Sequence, residues 1–367
     1  MIPAMKTVWG RIGLVANPQA GRGADAVAEA VRELLERLST EQVSLAEGTL
    51  ESRMAVDLGA SGTIVPSPKD PKLDARRAAD LLLQTGVDSI IGVGGDGTLG
   101  DIAAAILDAG GTARLFGVGV GSANVGPLVS LPGKDLDGLS LAEVYELPIH
   151  GVDAHLSDEF VGTAFNDVVL GNTFFGTRHG RRIDLDAAAK LAGEDRVAEP
   201  KSVCGPETWI AKNDRRMLTN ERGAFAQIIV SPLNESAVYA GKAISGLMCW
   251  GPYLGNHGIL AATSTLMIRT RLGSEDLSAA EPLRLSHLSF GPGDRIEIGG
   301  LLDDAILVID GNPACRVDPS DVVGVRLRLE AIRVLRPSAP VRGTRQTRSE
   351  EPRNRDGRPD GLPRRHG

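Results

Sequence analysis

The chain has 367 residues, of which 42% are hydrophobic and 24% charged, as in a globular protein large enough for two domains. Its net charge of −7 is unevenly distributed: residues 337–367 contain eight arginines and four acidic residues, a net +4, so the rest of the chain carries −11. An acidic body with only 4% aromatic residues argues against nucleic-acid binding, which requires basic grooves and stacking rings.

Neither a membrane span nor a disulfide framework is predicted. No apolar run approaches the ~18 residues that a membrane-spanning helix needs. Cys204, Cys249 and Cys315 are far apart and lack metal-ligand spacing, which is typical of structural thiols in a reducing compartment. The first residues lead into a strand without the apolar stretch of a secretion signal. We therefore expect a cytoplasmic protein that binds no membrane and no structural metal.

The first third of the chain alternates between strand-like and helix-like segments. Buried strands are predicted at 11–16, 42–46, 62–65, 88–93 and 115–120. Apolar residues three or four positions apart predict helices at 24–38, 74–83 and 99–107, the second with Asp74 as its N-cap. Because such alternation is typical of a parallel sheet covered by helices, residues 1–126 are predicted to form an α/β domain.

After about residue 127 the pattern changes to short β-branched runs separated by Gly, Pro, Asn and Asp. These runs lie at 160–170, 225–230, 284–290, 295–298 and 305–309. Their spacing predicts a β-rich, mainly antiparallel second domain over 127–321, with one helix expected within 185–216. Residues 337–367, rich in Arg, Pro and Gly, are predicted to be a disordered basic tail.

The most informative motif is Gly94-Gly95-Asp96-Gly97-Thr98, between a predicted strand and a predicted helix. Glycines there would allow positive φ and close approach of a ligand. The N–H groups at the start of the next helix would bind an anion. Asp96 is one carboxylate at the edge where open α/β sheets bind ligands. Phosphate beside one acid predicts phosphoryl transfer; the alternative is a tight turn with Asp96 near the N-cap.

Three other segments carry polar residues at strand ends. The turn 17–23 contains Asn17 and Gly21 before a helix, and is a weak signal alone. Asn166 and Asp167 interrupt an apolar run, so they are either a buried pair that needs partners or a local turn. Asp310 precedes a glycine at the end of a strand, a pattern that is most often a hairpin turn.

Together these segments resemble the superfamily of NAD kinases, diacylglycerol and sphingosine kinases and 6-phosphofructokinases, which share the Gly-Gly-Asp-Gly-Thr loop. Residues 74–80 and 86–102 are most similar to the ATP-NAD kinase branch, which includes the kinase-like protein encoded with acetoin-catabolism genes. Segments 164–169 and 308–312 resemble the Asn-acid and Asp-Gly segments of NAD kinases. The resemblance implies an NAD kinase-like fold, with the ligand site between two domains and a final strand at 322–335 returning to the first.

The resemblance also implies a function: an ATP-dependent kinase that phosphorylates the adenosine ribose 2′-hydroxyl of NAD to give NADP. ATP would carry Mg²⁺ or another divalent cation, and Asp96 would orient and deprotonate the acceptor hydroxyl. Asn166, Asp167 and Asp310 would hold the acceptor, NAD or another small hydroxyl compound. Contacts with ATP are implied for Asn17, Gly21, Gly94, Gly95, Gly97, Thr98, Ser122 and Asn124. Family members commonly pair through the β-rich domain, so the resemblance also implies a homo-oligomer.

Two other functions stay open on the sequence. A lipid or small-alcohol kinase would share the 17–21 motif, although no amphipathic membrane segment is evident. A nucleotide-binding regulator would keep the glycine loop without turnover. Residues 231–239 match the Thr- and Gly-rich segment of NAD kinases only loosely, so phosphoryl transfer is better defined than the acceptor. A phosphofructokinase is disfavoured, because the second half does not repeat the α/β pattern of the first.

Overall fold

The structure, a computed structural model, describes part of the chain. The described residues are 8–38, 43–60, 62–67, 73–121, 124, 126–141, 143–178, 181–234, 256–268 and 284–338. The predicted site residue Ser122, the cysteine Cys249 and the tail beyond residue 338 lie outside them.

The first part of the chain alternates strands and helices, as predicted. Its elements are β1 (Ile12–Ala16), α1 (Ala24–Arg37), β2 (Val43–Ala46), α2 (Leu50–Asp57), β3 (Thr63–Val65), α3 (Ala75–Gln84), β4 (Ser89–Gly94), α4 (Asp96–Asp108) and β5 (Arg114–Gly119).

The remainder is mostly strand, with a 3-10 turn at Gly133–Gly138 and one short helix, α5 (Ala187–Leu191), within the stretch where one helix was expected. The strands are β6 (Val129–Pro132), β7 (Val144–Leu156), β8 (Glu159–Ala164), β9 (Val168–Gly171), β10 (Thr173–Arg178), β11 (Arg181–Asp186), β12 (Cys204–Lys212), β13 (Arg215–Thr219), β14 (Gln227–Pro232), β15 (Gly258–Thr263), β16 (Leu285–Phe290), β17 (Arg295–Leu301), β18 (Ala305–Ile309), β19 (Asn312–Val317) and β20 (Val323–Pro337).

The described strands form three sheets, one of which is the antiparallel pair β10-β11. The largest runs β13-β12-β17-β20-β5-β4-β1-β2-β3, with β6 on β5 and with β7 on both β20 and β8. Its pairs from β5 to β3 are all parallel, whereas β12, β13 and β17 pair antiparallel. The second sheet, β16-β15-β14-β9-β18-β19, is antiparallel throughout. The predicted fold class is therefore confirmed. Because the largest sheet continues through both halves of the chain, a division at residue 126 stays a prediction.

The helices cover the parallel sheet with the apolar faces that their periodicity predicts. The α1 residues Val27, Val31, Leu34 and Leu35 are buried against β1 and β5, and every residue of β4 is buried. Burial on both faces explains why these strands are continuously apolar rather than alternating. Among the described residues, no helix is long and apolar enough to cross a membrane.

Several elements differ from the prediction. The short helix α2 was not predicted, because its eight residues form little more than two turns; Thr49 caps it by accepting from Ser52 N. Helix α4 begins at Asp96 rather than at residue 99, so the glycine motif supplies the first turn of the helix. The predicted run 160–170 is two strands, because residues 165–167 leave the ladder to bind another segment.

The packing of β5 generates a test of stability. A Cβ on Gly117 would lie 2.1 Å from the carbonyl oxygen of Leu128, which is backbone and cannot rotate away. We expect Gly117→Ala to lower the free energy of unfolding by about 1–3 kcal/mol, measured by denaturant unfolding. Gly324→Ala in β20 is the matched control, because its Cβ would meet His155 at an ordinary 3.7 Å. Equal stability of the two variants would contradict the packing described here.

Candidate active site

The carboxyl ends of β1, β4 and β5 lie side by side, and the segments that follow them are joined by hydrogen bonds. Directly after β1, Asn17 donates from Nδ2 to Thr98 Oγ1 in α4 at 2.8 Å. Arg22 N donates to the Val120 carbonyl at 3.1 Å, and Val120 N donates to the Gly94 carbonyl at 2.8 Å. The three loops therefore form one surface at the sheet edge where open α/β sheets bind ligands.

Steric contact, rather than positive φ, explains the glycines of the 94–98 motif. A Cβ on Gly94 would lie 2.5 Å from Thr98 Cβ, and a Cβ on Gly121 would lie 2.5 Å from Gly95 Cα. The predicted positive φ is wrong, since Gly94, Gly95 and Gly97 are absent from the residues that adopt it. The loop is thus held by two backbones in contact, while Gly95 and Gly97 remain half-exposed.

Asp96 is the first residue of α4 and is half-exposed. Its Oδ1 accepts the backbone N–H of Gly126 at 2.8 Å, which fixes the carboxylate against the segment after β5. The N-cap of α4 is Gly95, and no side chain caps the helix. The N–H groups of the first turn have no partner within the helix and lie at its positive end. An anion site and a carboxylate are thereby placed on the same helical turn.

The predicted ATP contacts differ in how their side chains are used. Asn17 Oδ1 accepts from Gln19 N at 2.9 Å while Nδ2 binds Thr98, so this asparagine ties the first loop to α4. Asn124 accepts from Gly121 N at 2.7 Å and donates to the Gly121 carbonyl at 2.9 Å, so it closes its own turn. Gly21 lies half-buried in the loop after β1. Direct contact of these residues with ATP stays a prediction.

A second group of predicted residues forms around Asp310, at the end of β18. Asp310 is only 5% exposed, and its carboxylate accepts the N–H groups of Phe165 at 2.8 Å, Asn166 at 2.6 Å and Asp167 at 3.0 Å. Burial raises the pKa of Asp310 to about 7; the negative charge of Asp167 acts in the same direction, and the three N–H donors oppose it. Asp310 therefore holds the backbone between β8 and β9.

Asn166 is held on both sides but leaves one polar atom unused. Its side-chain Nδ2 donates to Asp167 Oδ2 at 3.1 Å. Its backbone carbonyl oxygen accepts from Ser231 Oγ at 2.5 Å. Asn166 Oδ1 is buried and has no hydrogen-bond partner within the described part of the chain. A buried acceptor without a partner costs free energy unless a ligand supplies a donor.

Two residues that were not predicted join these groups. Asn312 Nδ2, at the start of β19, donates to the Gly97 carbonyl at 3.3 Å and to Asp101 Oδ1 at 3.2 Å. A Cβ on Gly97 would lie 2.9 Å from Asn312 Oδ1. The β18–β19 hairpin therefore packs directly on the first turns of α4, and through Asp310 it brings residues 165–167 to the same side.

The spacing of residues along α4 indicates this contact in the sequence. Gly97, Gly100 and Asp101 are three and four residues apart and share one face of α4. Two glycines and one acid on a face mark a place where another backbone can approach closely. Burial raises the pKa of Asp101 to about 6, with a further increase from the negative charge of Asp74. The partner residue, Asn312, carries no comparable signal, because it follows an ordinary Asp-Gly turn.

The site thus combines an uncapped helix start, one fixed carboxylate and an unused amide oxygen. The helix start suits a phosphate group, the carboxylate can accept a proton from a hydroxyl, and the amide oxygen can accept a hydrogen bond from a second ligand group. Within the described residues, no group of three His, Cys, Asp or Glu side chains is arranged to hold a metal ion.

The chain is similar in sequence to known proteins. Residues 11–137 match the family model described as the diacylglycerol kinase catalytic domain. An uncharacterized protein of Archaeoglobus fulgidus is 30% identical over 308 residues, which is 83% of this chain and 91% of that protein.

Two solved structures are similar in fold. Yeast NADH kinase complexed with NADH aligns over 90% of this chain and 84% of its own, with a TM-score of 0.50 and 13% identity. A diacylglycerol kinase from Bacillus anthracis strain Sterne aligns over 90% of this chain and 97% of its own, with a TM-score of 0.48 and 11% identity. At these identities the likeness concerns the fold alone. The family match and the archaeal relative show that the chain belongs to the NAD kinase and diacylglycerol kinase superfamily and is a phosphotransferase.

Proposed function

We propose that the protein is an ATP-dependent NAD kinase, which transfers the γ-phosphoryl group of ATP to the adenosine ribose 2′-hydroxyl of NAD. The observation that carries the choice of acceptor is the buried Oδ1 of Asn166, which has no hydrogen-bond partner among the residues that the structure describes. NAD offers N–H donors on its adenine and carboxamide groups in addition to the reacting hydroxyl. Diacylglycerol has no N–H group, and its single hydroxyl is the reacting one. A nucleotide acceptor therefore satisfies an atom that a lipid leaves unpaired.

In the proposed reaction, Asp96 takes the proton of the acceptor hydroxyl. The oxygen of that hydroxyl attacks the γ-phosphorus, and ADP leaves. Gly126 N–H holds one oxygen of this carboxylate, so its orientation is set before the acceptor binds. The N–H groups at the start of α4 and the backbone of Gly94, Gly95 and Gly97 contact the phosphates. A divalent cation that arrives with ATP neutralises phosphate charge.

Thr98 has a positioning role in this scheme. Its side chain is buried and its Oγ1 accepts from Asn17, so the first loop is kept against the helix that carries the base. Asn17, Gly21 and Asn124 then shape the ATP side of the site. The acceptor side is formed by Asn166 and Asp167, with Asp310 acting through their backbone rather than by touching the acceptor. We propose that the reaction takes place in the cytoplasm; homo-oligomer formation stays a prediction.

A lipid or other small-alcohol kinase is the second candidate. The family match over residues 11–137 favours it, because that family is described as the diacylglycerol kinase catalytic domain. The matched segment contains the loops after β1, β4 and β5 but neither Asn166 nor Asp310. It supports the phosphoryl-transfer half of the site and leaves the acceptor half undetermined.

The role of Asp96 is tested by Asp96→Asn. We expect NADP formation from ATP, Mg²⁺ and NAD to fall by about 10²–10⁴-fold, because the amide cannot accept the hydroxyl proton. Asp108→Asn, at the other end of α4 and in an exposed ion pair with Arg76, is the control and should keep wild-type activity.

The acceptor is tested with vesicles containing diacylglycerol, which serve as the competing acceptor. Wild-type turnover of the lipid alone would overturn the NAD assignment, and ATP binding without turnover of any acceptor would indicate a regulator.

The unpartnered amide oxygen is tested by Asn166→Ala. Removing an acceptor that pairs with NAD costs about 1–3 kcal/mol, so the KM for NAD should rise by roughly 5- to 150-fold. The KM for ATP in the same variant is the internal control and should stay within about twofold. If both constants rise together, or neither does, Asn166 does not bind the acceptor selectively.

The buried carboxylate of Asp310 generates a pH prediction. Because the pKa of this group is raised from 3.8 to about 7 in the folded protein, its contribution to stability is complete only well below pH 3.8 and is lost as the pH rises through 7. Asp310→Asn should be less stable than wild type, and the difference should shrink by about 2–4 kcal/mol between pH 4 and pH 7. Urea unfolding across that range measures it. If the difference in free energy of unfolding between wild type and Asp310→Asn stays constant or grows with pH, burial does not raise the pKa of Asp310.

A further inference from the structure

We propose that Arg336, at the end of β20 and outside the loops that carry the site, is a positioning residue for the Asp96 carboxylate. The inference rests on the role of Asp96 proposed above. Arg336 is only 7% exposed, although arginine is almost never fully buried unless its charge is compensated. Its guanidinium donates to two backbone carbonyls, those of Pro127 and Val129. Both acceptors lie within the three residues that follow Gly126, and Val129 is the first residue of β6.

This segment needs external donors because β5 changes partners there. On the edge of β5 opposite β4, β20 pairs in parallel with Arg114 and Leu115, and β6 takes over at Gly117. Backbone carbonyls at such a change have no complete strand beside them and must find other donors. The planar guanidinium of Arg336 offers several N–H groups in a fixed fork and binds two of these carbonyls together.

The segment that Arg336 holds is continuous with the group that orients Asp96. Gly126 immediately precedes Pro127, and its N–H is the donor to Asp96 Oδ1 at 2.8 Å. There is little space between them, since a Cβ on Gly126 would lie 2.7 Å from that oxygen. On the other side, the Leu128 carbonyl packs against the α-carbon of Gly117. A shift of the Pro127 carbonyl is therefore transmitted to the carboxylate rather than absorbed.

The chain offers a matched control on the same strand. Arg333 lies three residues before Arg336, but its side chain is 59% exposed and pairs with Glu146 at 3.3 Å. Replacing it removes an exposed ion pair, which contributes little to stability. Lysine at 336 keeps the charge but cannot span both carbonyls, so Arg336→Lys is not a conservative change at this site.

The experiment compares Arg336→Lys, Arg336→Ala and Arg333→Lys in the full chain, with the acceptor that wild type turns over best. We expect kcat to fall by about 10- to 100-fold in the Arg336 variants, because small misplacement of a reacting group is costly. The KM for ATP should stay within about threefold, and Arg333→Lys should match wild type. Added guanidinium should restore part of kcat to Arg336→Ala, at concentrations that leave wild type unchanged.

A second measurement does not depend on activity. Hydrogen exchange of the Gly126 amide should be at least tenfold faster in Arg336→Lys than in wild type, and unchanged in Arg333→Lys. Gly126→Ala, which crowds Asp96 directly, should lower kcat less in the Arg336→Lys background than in wild type if both act on the same carboxylate.

The outcomes separate this inference from the proposed function. Wild-type exchange and wild-type kcat in Arg336→Lys would overturn it, whatever the acceptor. A loss of kcat without guanidinium rescue and with additive effects of Gly126→Ala would also overturn it, since that is the result of general destabilisation. If wild type turns over no acceptor, the proposed function fails, and the exchange experiment still decides whether Arg336 holds Gly126.

Discussion

The strands that carry the site, β4 and β5, end with their backbones in contact, and the remaining geometry depends on that approach. Any side chain at Gly95 or Gly121 would push the two loops apart. Because they touch, Gly126 reaches Asp96 with its N–H and Val120 pairs with Gly94. The start of α4 is then fixed relative to the sheet on both sides. The carboxylate that we propose as the base is thus held by a backbone N–H group on the neighbouring loop.

The opposite side of the site is held by the buried carboxyl group of Asp310 and its hydrogen-bond donors. Asp310 gathers three consecutive N–H groups, which explains why the chain leaves the ladder between β8 and β9. Asn312, two residues further on, docks the same hairpin on α4. One short turn therefore links the antiparallel sheet to the helix that begins with Asp96. Asn166 is presented by this arrangement with an unused oxygen, which favours a ligand that carries an N–H group.

In the proposed reaction, donor and acceptor recognition lie on different parts of the chain. The proposed phosphate side lies within residues 11–137, which match a kinase family as a unit. The proposed acceptor side, formed by Asn166 and Asp167, lies after residue 160. A superfamily that shares the first part can change its acceptor through the second.

By itself the sequence determined eight of the first nine elements, all except α2, together with the β-rich second half and the Gly94–Thr98 motif with its acid. These follow from local periodicity and from chemistry within a few residues. Only the tertiary structure decided that Asp310 holds a backbone 145 residues away, that Asn312 reaches Asp101 over 211 residues, and that Arg336 supports Val129 over 207. Such contacts leave no periodic trace, because each requires one polar group at one place, and that place exists only after the sheets have formed.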